Sequence, residues 1–150
     1  MHYWLMKTEP DEFSIDDLAR KKIEPWTGVR NYQARNFMRD GMQVGDGVLF
    51  YHSSCEVPGV AGIAEVASAA YPDPSQFDRT SDYYDAGSKP EEPRWFLVDV
   101  RFKRKLKRVI ALTELKDRKE LAGFPLIARG NRLSVLPVTK TQWDFILGLE

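Results

Sequence analysis

Two indole rings, Trp26 and Trp95, are the groups in this chain best suited to hold a flat ligand. Each has an arginine close by in sequence, Arg30 and Arg94. Aromatic faces of this kind are what a nucleobase stacks on when it is bound outside a duplex. Thr8, Asn31 and Ser53 could read such a base's edge, while Lys7, Arg30, Arg129 and Arg132 could hold phosphates or a polar loop, with His52 at the rim. A base held this way must be flipped out or already single-stranded, because its faces are inaccessible in a duplex. The same residues also admit a purely structural reading, with the indoles in the core and the arginines as surface charge.

Other chemistries find less support. His52, Ser53, Ser54, Cys55 and Glu56 place a base, two hydroxyls and a thiol together, but adjacent side chains on a strand point apart and cannot form a dyad. No nucleophile elbow, P-loop or dinucleotide fingerprint is present. Cys55 is the only cysteine and His2 and His52 are the only histidines, which argues against a zinc site and calls for no metal or cofactor. An enzyme acting on a nucleobase would need a well-placed acid, for which Glu9 and Glu65 are available.

The elements that must position these residues can be read in order. Tyr3 to Thr8 alternates as a strand apolar on both faces, with polar character only at its far end. Ser14 and Asp17 form a capping box for a helix ending near Lys22. Asn31 caps a second helix predicted over Tyr32 to Asp40, with Gly41 as a left-handed C-cap. Val48–Ser53 and Gly59–Ala67 read as a hairpin whose glycines permit a bend or a close backbone approach. Residues 71–94 have no regular period, yet their four aromatics predict a segment packed on the body. Arg94–Phe102 reads as a strand, with Phe96, Val98, Val100 and Phe102 inward and Trp95 on the opposite face. A helix over Thr113 to Leu121, a turn at Arg129–Arg132, a strand over Leu133–Val138 and a helix capped by Thr139 and Gln142 complete the chain. This mixed order of short strands and helices suits an α+β fold built on a small, partly closed barrel, expected as one domain over residues 1–150.

The formal net charge is zero, so the molecule as a whole exerts no pull on nucleic acid. The charge is unevenly distributed: residues 101–132 are strongly basic and residues 72–93 acidic. The run Lys103–Arg108 reads as a strand with a solvated basic face ahead of a phosphate site. No apolar stretch approaches the roughly 20 residues that span a bilayer, and a strand begins at once, so the expectation is a soluble cytoplasmic protein with no membrane partner.

Several motifs in order resemble the EVE domain family. They are Tyr3-Trp4-Leu5-Met6-Lys7-Thr8-Glu9-Pro10, Trp26 with Gly28 to Asn36, Phe50-Tyr51-His52-Ser53, Gly59 to Val66, Tyr71-Pro72-Asp73, Pro93-Arg94-Trp95-Phe96 and Arg132-Leu133-Ser134-Val135. The resemblance implies a PUA-like pseudobarrel related to the YTH readers of methylated adenine. It also implies a non-catalytic reader of a modified base in DNA or RNA, with other proteins left open as partners. The order Lys7-Thr8, Trp26, Trp95 is similar to the YTH pocket, which would make Lys7 a base-binding residue too. Thr8 stands where the family usually has serine, and Tyr51 is a candidate third aromatic wall. Two alternatives stay open: an enzyme acting on a nucleobase or nucleotide, and a small-molecule sensor or protein-interaction module using the same pocket.

Overall fold

In the computed structural model, which describes residues 1–150, one strand carries both halves of the core. Strand β1 (Tyr3–Thr8) pairs in parallel with β3 (Gly47–His52) and antiparallel with β8 (Val135–Val138). Its pleat sends Trp4 and Met6 to one apolar cluster, with Val48 and Phe50, and Leu5 to a second, with Leu49 and Tyr51. The alternation predicted from sequence is therefore what divides the interior.

The main sheet extends past β3 through β4 (Gly59–Val66) and β7 (Asp99–Ala111) to β2 (Ile23–Pro25), in the order β2-β7-β4-β3-β1-β8. It curls into half a barrel, as the PUA-like expectation requires. The curl has local causes. The β4–β7 register slips at two places, and bulges increase twist. Gly59 and Gly62 bring backbone and side chains too close for any Cβ: one built on Gly59 would lie 2.3 Å from the Ile110 carbonyl oxygen, and one on Gly62 2.4 Å from Ile15 Cδ1.

Helix α1 (Ile15–Lys21) starts at the Ser14–Asp17 capping box, and α4 (Lys140–Leu147) at the Thr139–Gln142 box. Both boxes are formed in full. Helix α2 (Tyr32–Asn36) is capped by Asn31, whose side chain accepts from the Ala34 amide at 3.0 Å. Its continuation differs from the sequence reading: Phe37–Gly41 is a π turn, closed by the Met42 amide on the Phe37 carbonyl. Gly41 is not left-handed. It is small because a Cβ there would sit 2.9 Å from the Trp4 ring.

The strand expected over 94–102 divides at Val98 into β6 (Phe96–Leu97), which pairs with β5 (Tyr71–Pro72), and the long β7. β7 takes in the basic run, whose charges are largely matched: Arg101 and Lys103 reach Glu65, Arg104 reaches Glu150, Lys105 reaches Asp16 and Arg108 reaches Glu114. The helix expected over 113–121 is shorter, α3 (Leu112–Lys116), followed by single 3₁₀ turns at Lys119–Leu121 and Pro125–Ile127. No helix is long and apolar enough to cross a membrane.

Candidate functional site

The polar end of β1 opens into a cleft of about 480 Å³. Here the Ser53 amide donates to the Thr8 carbonyl at 2.9 Å, and the Lys7 amide donates to the Ser134 carbonyl at 2.8 Å. Three strand ends are thereby tied together, and Thr8, Ser53 and Ser134 form one wall. With its carbonyl taken by Ser53, Thr8 has its hydroxyl to offer. Lys7 lines the same cleft, and burial pushes its pKa down.

The opposite wall is Pro25 to Arg30. Trp26 leaves the end of β2 with its amide on the Val98 carbonyl at 3.0 Å. Its indole meets Phe50 edge-on, with centroids 5.7 Å apart, and Phe13 at 6.4 Å. Both contacts are T-shaped, the arrangement that favours aromatic edges on faces. Trp26 is 7% exposed and belongs to the core cluster of Trp4 and Phe50, so it is a rigidly backed residue that reaches the cleft lining from the interior.

A buried carboxylate sets the position of this wall. Asp73 is 1% exposed. It accepts from the Gly28 amide at 2.8 Å, from Arg30 at 3.1 Å, and from the Ser75 amide and hydroxyl at 2.8 and 2.6 Å. Burial alone would raise its pKa, but the donors from Ser75, Gly28 and Arg30 hold the carboxyl below its usual range. Gly28 is left-handed, with φ +88°, and a Cβ on it would strike the Tyr83 ring at 2.6 Å. Tyr83 thereby closes over the backbone and lines the cleft as its one exposed aromatic.

Sequence reasoning missed Asp73 and Tyr83 as site residues. The only signals available were the acidic Tyr71-Pro72-Asp73 motif and the aromatics of an otherwise aperiodic loop.

Arg30 lines the cleft, but its hydrogen bonds are made within the chain. Nε and Nη2 donate to the Tyr83 carbonyl, Nη2 also to Ser75, and Nη1 to Asp73 and the Val29 carbonyl. Those contacts use a guanidinium's whole donor set, so Arg30 positions the wall and has no donor left for a phosphate.

Trp95 stands one layer behind. Its indole N–H donates to Asp85 at 2.7 Å, Tyr32 stacks on it at 4.8 Å, and the Arg30 guanidinium lies 5.3 Å from its ring. It does not line the cleft, and the two indoles do not face each other across one space. The reason is topological: Trp95 precedes β6, which pairs with β5 and not with the main sheet. Gln76 locks the Trp95 backbone from both sides.

The remaining predicted residues separate cleanly. Arg132 lines the cleft. Asn31 is spent on capping α2 and lies outside it. Tyr51 and Arg129 face a second cavity, which adjoins the cleft at Lys7. His52 turns away, and its Nε2 accepts from the Ile15 amide at 3.1 Å, fixing the start of α1. No cluster of three or more His, Cys, Asp or Glu side chains is placed to hold a metal ion.

The His52 contact gives a pH prediction. Burial lowers the imidazole's pKa from 6.5, outweighing Asp16, which raises it, while Lys105 lowers it further. A depressed folded-state value means the stabilisation is fully present above 6.5 and is lost as the pH falls through the folded value. Urea unfolding at pH 7.5 and pH 5.5 should therefore show a steeper loss of stability for the parent than for His52→Gln. Equal slopes would remove His52 from the account.

A family model for the EVE domain matches residues 2–149. This chain belongs to the EVE domain family. Mouse thymocyte nuclear protein 1 is 44% identical to this EVE-family chain over 167 aligned residues, covering 99% of the chain and 74% of the mouse protein. A crystal structure of a Pseudomonas syringae protein superposes with a TM-score of 0.95 at 52% identity, covering 98% of each chain. The crystal structure of human THYN1 in complex with DNA containing 5-methylcytosine superposes with a TM-score of 0.94 at 42% identity, covering 99% of this chain and 97% of that one.

Proposed function

We propose that this protein is a non-catalytic reader that holds a modified base of DNA, of the 5-methylcytosine kind, against Trp26. The observation that carries the reading is Trp26, rigidly backed by Phe50 and lining a cleft whose other wall offers the hydroxyls of Thr8 and Ser134, with Ser53 Oγ donating to the Thr8 carbonyl and left as an acceptor. The human relative, solved with DNA containing 5-methylcytosine, supports it from outside. Stacking on the indole supplies sequence-tolerant binding energy, and the hydroxyls and backbone groups supply the edge contacts that choose a base. A cleft of this size receives a base only when it leaves the stack, so the ligand is a flipped or single-stranded base. Tyr83 is the proposed second wall, in the part Trp95 was expected to take.

An enzyme needs an acid in reach of the base. Glu65 is not available, because it pairs with Arg101 and Lys103 on the sheet. Glu9 and Glu12 do line the cleft. In the reader they are acceptors for a cytosine's exocyclic amine.

The test is a titration of single-stranded and duplex DNA and RNA oligonucleotides carrying one 5-methylcytosine or plain cytosine. Trp26→Phe and Trp26→Ala are measured beside the parent, with folding checked by circular dichroism. The parent should prefer the methylated DNA, and the folded Trp26→Ala protein should lose about 1–3 kcal/mol, roughly 5- to 150-fold in affinity. An oligonucleotide recovered with unchanged mass supports a reader. Undiminished affinity in Trp26→Ala, or turnover of the base, rejects it.

A further inference from the structure

The second cavity, of about 510 Å³, lies on the other side of Lys7 from the cleft. Tyr51, Leu112, Leu126 and Ile127 give it an apolar side. Its charged lining residues are Lys7, Lys116 and Arg129, with no acid among them. The first cleft is different, since there Glu9, Glu12 and Glu24 offset the cations.

These cations are also free of internal carboxylate partners. The basic strand β7 is largely neutralised by Glu65, Glu150, Asp16 and Glu114, and Arg30 by Asp73. Lys7, Lys116, Arg129 and Arg132 form no ion pair, and all four line one or the other of the two cavities. The turn between them explains the arrangement. Gly130 is left-handed, with φ +79°, and the Asn131 side chain accepts from the Leu133 amide at 2.9 Å. Arg129 consequently serves the second cavity and Arg132 the first.

We infer that the second cavity is a subsite for the nucleotide next to the one held in the cleft. Its phosphate would be held by Lys7, Lys116 and Arg129, and its sugar and base would lie against Tyr51 and the leucines. This rests on the reading of the cleft as a base site. The chemistry required is an anion attached to a flat, partly apolar body, which matches a cavity with one cationic and one apolar side. The Tyr51 hydroxyl, like any tyrosine's, is a hydrogen-bond donor at neutral pH. Its ring lies 5.8 Å from the Lys7 ammonium. Lys7, shared by the two cavities, is the point at which a strand would pass from one to the other.

The test uses the full chain and the double variant Lys116→Gln/Arg129→Gln, both positions being exposed. The probes are a single-stranded DNA pentamer with a central 5-methylcytosine, its plain counterpart, the free 5-methyl-2′-deoxycytidine nucleoside and a free mononucleotide. The double variant should bind both pentamers more weakly in equal proportion. Its log-affinity against log-salt slope should flatten by about 0.7, the effect of one lost single-strand phosphate contact. Nucleoside affinity should be unchanged, and Arg129→Lys alone should keep the parental slope.

An unchanged slope in the double variant, while Trp26→Ala still weakens the methylated pentamer, overturns the subsite and leaves the base reading intact. A flattened slope with no preference for the methylated base does the reverse. A mononucleotide competing as well as the pentamer would show that the cavity serves a free nucleotide, which overturns the subsite on a strand. Binding insensitive to salt overturns it as well.

Discussion

Asp73→Ala is expected to cost about 3 kcal/mol of stability, the low end of the range for removing one partner of a buried ion pair. The low end applies because Arg30 retains 22% side-chain exposure while Asp73 retains 1%. Removal would strand the Gly28 amide, one N–H of Arg30, and the Ser75 amide and hydroxyl at once. Binding should be lost with it, since the wall from Gly28 to Arg30 has no other anchor of that kind. Urea unfolding and an oligonucleotide titration measure the two effects separately. A double-mutant cycle with Arg30→Ala should give a coupling energy of roughly 0.5–3 kcal/mol, as residues sharing one network do. A loss below about 1 kcal/mol, inside the ordinary spread for single substitutions, would show that Asp73 is not the keystone. Acid should mimic the substitution. Asp73 has a folded pKa depressed below 3.8, so its contribution holds above that value and disappears as the pH drops further.

Phe50→Ala is the second large effect. Phe50 is fully buried and meets Trp26 and His52 edge to face and Phe13 at a tilt. Truncation of a buried aromatic to alanine costs about 3–5 kcal/mol. The loss should exceed that of Phe50→Leu by the difference in cavity left behind. The functional signature is a Trp26 ring freed to tilt: affinity for the methylated base should fall in folded Phe50→Leu, although residue 50 does not line the cleft. Full affinity in a folded Phe50→Leu protein would show that Trp26 does not depend on its backing.

The features legible in the sequence were those set by local chemistry. The alternation of Tyr3 to Thr8 gave the two faces of the core, and it placed Thr8 on the side of Trp4 and Met6, toward Trp26. The caps at Ser14, Asn31 and Thr139 rest on contacts three residues apart and needed no tertiary knowledge. Gly59 and Gly62 announced a close approach and produced one.

Long-range pairing was not legible. Nothing near Gly28 shows that its amide will be met by Asp73, 45 residues later. Arg30 looked like a free phosphate ligand because its partners, Ser75 and Tyr83, lie in a segment without periodicity. Trp95 looked equivalent to Trp26 because strand alternation gives its face but not the sheet it joins, and the two-strand β5–β6 pair took it elsewhere. Gly41 fitted a helix-ending signal, while the constraint acting on it was the Trp4 ring from the first strand.

The clasp of Tyr83 over Gly28 has a kinetic consequence. The cleft draws on segments around residues 8, 26, 53, 83 and 132, so it cannot exist in any half-formed intermediate. Loop closure over such separations costs more chain entropy than the local hairpin of β3 and β4, and the expected order is hairpin first and cleft last. Competence to bind therefore arrives only with the last contacts, and a bound oligonucleotide would report the fully assembled chain.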